Sequence, residues 1–246
     1  MAGLTAEADG SYIVMGERVE MPVIVRRAKQ AALIYLVPHA AAQRIVQPTG
    51  LKVKRERGGK AVVTIALVDY IDNDLGEYTE LGLVFMVEDR EHPKATTTYI
   101  HRLPVNGEFT YRAGYGIWGF PKWVTDLRVD FTDRGVSAVL KEGDDVVLRI
   151  TAKRGPIKVP ARQMPMLAYT CDEDGVVRRT AWTTDGRQKQ QIRPGGATIE
   201  LGYGHPIADE LRSLGFPRRN LVAIFDDHME ATFGTPEVIT PSPMTR

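Results

Sequence analysis

A lysine is a nucleophile only while its amine is uncharged, and one lysine of this 246-residue chain stands where that form is favoured. In the segment Gly114 to Trp123 (GYGIWGFPKW), Lys122 follows Phe120-Pro121 and has Trp118 and Trp123 close by in sequence. Proline fixes its own φ and pushes Phe120 toward extended backbone, so the lysine is presented on a stiff, apolar segment. An apolar wall disfavours the ammonium form. A free lysine titrates near about 10.4, and a useful amine at neutral pH needs a drop of roughly three units, or about 4 kcal/mol. Trp118, Phe120 and Trp123 are the residues expected to supply it. Two plainer arrangements fit the same residues: a surface lysine at a strand end, or a cation–π contact with Trp118 or Trp123.

The second group is Asp69 to Glu80 (DYIDNDLGEYTE), with five acidic residues in twelve positions. Alternating Asp and Asn can ligate a hard cation, but the EF-hand order is missing, and most of these acids read as solvent-facing turn residues. Glu80 differs because it leads directly into the apolar run Leu81 to Val87. A carboxylate there can serve as an acid or base, or simply cap a turn. The five histidines are scattered, with no HExxH pair. No nucleophile elbow, phosphate-binding loop or dinucleotide fingerprint is present.

The elements that must hold these groups are mostly strands. Met21 to Arg26, Gln30 to Val37, Ala61 to Tyr70, Leu81 to Val87 and Thr96 to Arg102 are rich in β-branched and aromatic residues. Val124 to Phe131, Val136 to Lys141, Asp145 to Ala152, Ala197 to Leu201 and Asn220 to Phe225 follow the same pattern, with Asp-Arg-Gly and Glu-Gly-Asp turns between them. Two helices are expected, His39 to Val46 after Pro38, and His205 to Gly215 with Pro206 at its start. Short turns and few helices predict one closed or nearly closed antiparallel sheet system, an α+β chain that is mostly antiparallel β.

Taken in order, Leu75-Gly76-Glu77-Tyr78-Thr79-Glu80 and Phe120-Pro121-Lys122, with weaker matches at Met21 to Arg26 and Ile224 to Glu237, resemble the acetoacetate decarboxylase superfamily. The resemblance covers roughly Tyr12 to Val238. It implies a closed β-barrel with a few short helices, a single domain over 1–246 with tails at 1–10 and 240–246, and a homo-oligomer, a tetramer or larger. It also implies cofactor-free chemistry in which Lys122 forms an imine with a small oxo acid and Glu80 acts beside it. Arg18 falls on an arginine that contacts the substrate carboxylate; a strand-edge salt bridge is the plainer role for it. Two departures stand out. Trp123 occupies the place of a second lysine in true acetoacetate decarboxylases, and no second glutamate is found near Thr64 and Ile65. These differences favour aldol condensation and dehydration on pyruvate-like 2-oxo acids, with an aldehyde co-substrate, over decarboxylation of acetoacetate. A barrel that binds a small carboxylate or apolar ligand without turnover is the remaining alternative.

Composition excludes little else. Net charge is +1, which gives no reason to expect a nucleic-acid partner. One cysteine, Cys171, allows no intrachain disulfide and fits a cytoplasmic protein. No apolar stretch approaches the roughly 18 residues of a membrane span, and Met1 to Gly10 lacks the features of a signal peptide. Finally, Gln30 to Val37 and Leu81 to Val87 show little polar alternation, and strands apolar on both faces need cover on both sides.

Overall fold

The computed structural model describes residues 4–93, 95–186 and 188–239. A small sheet of three strands, β1 (Leu4–Ala6), β2 (Tyr12–Val14) and β3 (Glu17–Val19), precedes everything else. Leu4–Ala6, expected within an N-terminal tail, is thus paired strand; the tail residues 1–3 and 240–246 lie outside the described residues.

The two apolar runs Met21 to Arg26 and Gln30 to Val37 form one long strand, β4 (Val23–Pro38), which leads into α1 (His39–Val46) at the expected boundary. Then come β5 (Lys60–Asn73), β6 (Tyr78–Met86) and β7 (Thr96–Val105), followed by a helix, α2 (Glu108–Trp118). After it run β8 (Lys122–Val124), β9 (Asp126–Thr132), β10 (Gly135–Glu142) and β11 (Asp145–Lys153). The remainder is β12 (Ile157–Pro160), β13 (Met164–Cys171), β14 (Val177–Gly186), β15 (Lys189–Pro194), β16 (Ala197–Leu201), α3 (Pro206–Ser213) and β17 (Val222–Ile239).

Seven strands close a barrel in the order β17-β14-β13-β7-β6-β5-β4, with β4 pairing back onto β17. Closure removes the open edges that a sheet would otherwise expose. The β7–β13 junction is parallel and the other barrel pairs are antiparallel. A second, four-stranded sheet, β16-β11-β10-β9, lies outside the barrel.

That second sheet explains why β4 and β6 read as apolar throughout. The outward residues Leu33, Tyr35 and Ile65 of the barrel pack with Leu127, Leu140 and Ile150 of the second sheet in one buried core. The inward residues line a cavity. Both faces are therefore covered within a single chain, and the lack of alternation needs no partner subunit to account for it. Among the described residues no helix is long and apolar enough to cross a membrane.

The helix α2 went unread in the sequence for a physical reason. It carries Gly114 and Gly116, and an interior glycine costs a helix about 1 kcal/mol relative to alanine. Tertiary fit overrides propensity here. A Cβ on Gly114 would lie 2.7 Å from Lys122 Cδ, and one on Gly116 would lie 2.7 Å from Leu4 Cδ2. Both glycines let neighbouring side chains approach the helix backbone. Gly119 ends the helix in the left-handed region at φ +64, and the chain turns directly into Pro121 and Lys122.

Candidate active site

Strand alternation decides which of the expected residues meet. Along β8, Lys122 points into the barrel while Trp123 points out. Lys122 is 5% exposed and lines a cavity of about 310 Å³. Trp123 packs on the core between barrel and outer sheet, and its Nε1 donates to Glu142 Oε1 at 2.7 Å. Trp123 is therefore not part of the wall around the amine, which corrects the sequence reading. A lysine at position 123 would likewise project away from the Lys122 side of the strand. At the other departure from the family pattern, Thr64 lines the cavity and Ile65 faces the outer core.

Trp118 and Phe120 do form the wall. Their rings stack at 5.4 Å and 13°, and Trp118 Nε1 donates to the Gly234 carbonyl at 2.8 Å. Phe233 and Trp182, stacked at 5.2 Å, continue the aromatic surface. With Val25, Ala66, Val84, Ile100 and Leu103 these make a mostly apolar chamber.

Glu80 enters from β6, and its Oε2 lies 3.0 Å from Lys122 Nζ. Lys122 Nζ also donates to Thr110 Oγ1 of α2 at 2.8 Å. Tyr70 donates through its hydroxyl to the other Glu80 oxygen at 3.2 Å. Tyr70 sits opposite Tyr78 in the β5–β6 register, and the two rings stack at 4.3 Å. Tyr78 presents its ring to the lysine, with Nζ 4.7 Å from the centroid. Thus Lys122, Glu80, Thr110, Tyr70 and Tyr78 form one buried cluster.

The electrostatics differ from the expectation of a lowered lysine pKa. Burial is the largest influence and disfavours the ammonium, but Glu80 and Tyr78 together offset it, and the Lys122 pKa is held above the ordinary lysine value. Burial raises the Tyr70 hydroxyl well above its ordinary value, with Glu80 adding to the effect, and raises Tyr78 as well. Both phenols therefore stay neutral, and Tyr70 donates to Glu80. Lys122 and Glu80 thus form a buried ion pair at the cavity wall.

Arg18 is not brought to this site. It lies on β3 with its side chain 45% exposed, its Nε donates to Glu20 Oε1 at 2.6 Å, and it pairs with Asp9. It is the strand-edge salt bridge and is not among the residues lining the cavity. Among the described residues lining the cavity, Lys122 is the sole Lys, Arg or His. Sequence reasoning also missed Thr110, Tyr70, Tyr78 and Asp226. For the tyrosines a signal existed: Tyr78, Glu80, Gly82, Val84 and Met86 alternate strictly along β6 on the cavity side.

Residues 14–226 match the family model described as acetoacetate decarboxylase. No curated protein sequence matches significantly. The acetoacetate decarboxylase of Legionella pneumophila superposes with a TM-score of 0.68 at 18% identity, over 89% of this chain and 87% of that one. The enduracididine biosynthesis enzyme MppR complexed with pyruvate gives 0.64 at 13% identity, over 89% and 90%. MppR holding the condensation product of pyruvate and imidazole 4-carboxaldehyde gives 0.62 at 12% identity, over 97% of each chain. At these identities the likeness to the solved structures is one of fold.

Proposed function

Since the chain belongs to the acetoacetate decarboxylase family, we propose that it is a cofactor-free lyase in which Lys122 forms an imine with a small 2-oxo acid such as pyruvate, for condensation with an aldehyde. One observation carries this reading: the buried Lys122 lies in a mostly apolar chamber with its Nζ 3.0 Å from Glu80 Oε2. The binding of pyruvate and of its condensation product by MppR supports it.

The steps follow from the cluster. An entering carbonyl compound displaces water, and the fall in local polarity favours a neutral amine and acid over two buried ions. The Lys122 ammonium passes a proton to Glu80, and the free amine adds to the carbonyl carbon. Loss of water from the carbinolamine leaves the iminium, with Glu80 returning its proton to the departing oxygen. The iminium draws electrons from the adjacent carbon, and the Glu80 carboxylate removes a proton from it to give an enamine. The enamine carbon attacks the aldehyde carbonyl. Dehydration of the aldol and hydrolysis of the imine release an unsaturated oxo acid and the free lysine. Thr110 and the Tyr70 hydroxyl hold the amine and carboxylate in line throughout. Among the described residues no guanidinium lines the cavity, and the hydroxyls of Thr64, Thr96 and Thr98 are the groups there that meet the substrate carboxylate.

The test is product analysis: pyruvate with a panel of small aldehydes, followed by mass spectrometry, for wild type and Lys122→Ala. A lysine-dependent unsaturated condensation product supports the reading; none across the panel opposes it. A second reading, decarboxylation of acetoacetate, is favoured by the outward direction of position 123, because Trp123 then leaves the chamber unchanged. Lysine-dependent release of carbon dioxide from acetoacetate distinguishes it. Assembly into a homo-oligomer belongs to the same proposal, and light scattering that reports a monomer at micromolar concentration opposes it.

A further inference from the structure

The chamber contains a second buried carboxylate that the steps above do not use. Asp226 of β17 is 4% exposed and lines the cavity. It pairs with Gln30 in the barrel register, Gln30 with Val68, and Val68 with Glu80. Asp226 and Glu80 therefore share one rung of the barrel, three strands apart. Both line one cavity, Asp226 from β17 and the Lys122–Glu80 pair from β8 and β6.

Asp226 is fixed in place. Gln190 Nε2 donates to its Oδ2 at 3.1 Å, and the His228 backbone N–H donates to its Oδ1 at 3.0 Å. Each oxygen accepts one bond from these partners and keeps a further lone pair for another donor. The charge balance of the cavity points the same way. Lys122 is matched by Glu80, whereas Asp226 has only an amide and a backbone N–H as hydrogen-bond partners among the described residues. A buried carboxylate held only by neutral donors favours a ligand that brings a donor or a positive charge.

We infer that Asp226 selects the second substrate, holding the tail of an aldehyde that carries an N–H donor or a protonated nitrogen. This rests on the reading of Lys122 as the imine lysine. Asp226 anchors the far end of the aldehyde and turns its carbonyl toward the enamine. The same wall disfavours aldehydes with a carboxylate or other acceptor at that end.

The test compares two aldehydes of one shape, pyrrole-3-carboxaldehyde, whose ring offers an N–H, and furan-3-carboxaldehyde, whose ring offers an acceptor oxygen. Binding of each is measured by calorimetry to wild type and to Asp226→Asn. The wild type is expected to prefer the pyrrole by about tenfold, the size of one hydrogen bond to a charged group. In Asp226→Asn the preference should fall to about threefold or less, the size of a bond to a neutral acceptor, with borohydride trapping of pyruvate on Lys122 retained. A wild-type preference below about threefold overturns the inference without recourse to any variant, as does a preference that Asp226→Asn leaves unchanged. If pyruvate is never trapped, the reading of Lys122 fails, while the pyrrole-to-furan ratio still decides the role of Asp226.

Discussion

Replacing Glu80 with glutamine should reverse the direction in which Lys122 titrates. At 3.0 Å and an effective dielectric of about 20, the attraction between the two charges is about 5 kcal/mol. Burial opposes it, and the amine nevertheless sits above the ordinary lysine value. Glutamine keeps the size of the side chain and removes the charge, so desolvation is left without its main opponent. A buried ammonium without its partner then sheds its proton. If even a third of the attraction is left uncompensated, about 1.5–2 kcal/mol, the neutral fraction rises more than tenfold. Competitive labelling with acetic anhydride reports both the titration and the reactivity of each lysine. In wild type, Lys122 should label at higher pH than the surface lysines; in Glu80→Gln it should label at lower pH. Condensation turnover should fall in the same variant, because the proton acceptor is gone. If Lys122 stays above the surface lysines without Glu80, the carboxylate is not what holds the ammonium, and the proton-transfer role given to it loses its basis.

Other consequences follow from the same geometry. In wild type the folded-state value of Lys122 is raised, so its ion pair stabilises the fold below the unfolded value of 10.5 and the contribution is lost as pH climbs from there through the folded value; melting temperature should fall more steeply with pH over that range for wild type than for Glu80→Gln. Gly114→Ala places a methyl 2.7 Å from Lys122 Cδ and should slow imine formation by about tenfold or more, read as the rate of borohydride-trapped adduct, with a smaller effect on melting temperature. Trp123→Ala should cost about 2–3 kcal/mol in denaturant unfolding, through lost packing and the bond to Glu142, while leaving the Lys122 labelling profile where it was.

Much of the barrel was legible because its strands are runs of β-branched residues bounded by turns, and α1 and β16 fall where the sequence placed them. The joining of two short runs into β4 was not legible, since Arg27 and Lys29 read as an interruption and are instead carried through a strand with irregular register. Lys122 and Glu80 were found from local setting and family pattern, and the structure brings them together. The face each residue takes was the harder question. Trp123 follows Lys122 directly, and closeness in sequence along a strand means opposite sides of the sheet. Thr110 carried no signal, because the helix that positions it contains two glycines whose purpose is visible only once Lys122 and Leu4 lie against them. Asp226 stands beside Asp227, which pairs outside the cavity with Arg154 at 2.6 Å, and only the strand register separates the two roles.

The central claim is that Lys122 is the nucleophile, and borohydride reduction in the presence of pyruvate tests it most directly. The protein is incubated with pyruvate, reduced, digested and mapped by mass spectrometry. One reduced adduct per chain is expected, located on Lys122 and absent from Lys122→Ala. No adduct in wild type, or one that persists on another lysine in Lys122→Ala, would contradict it.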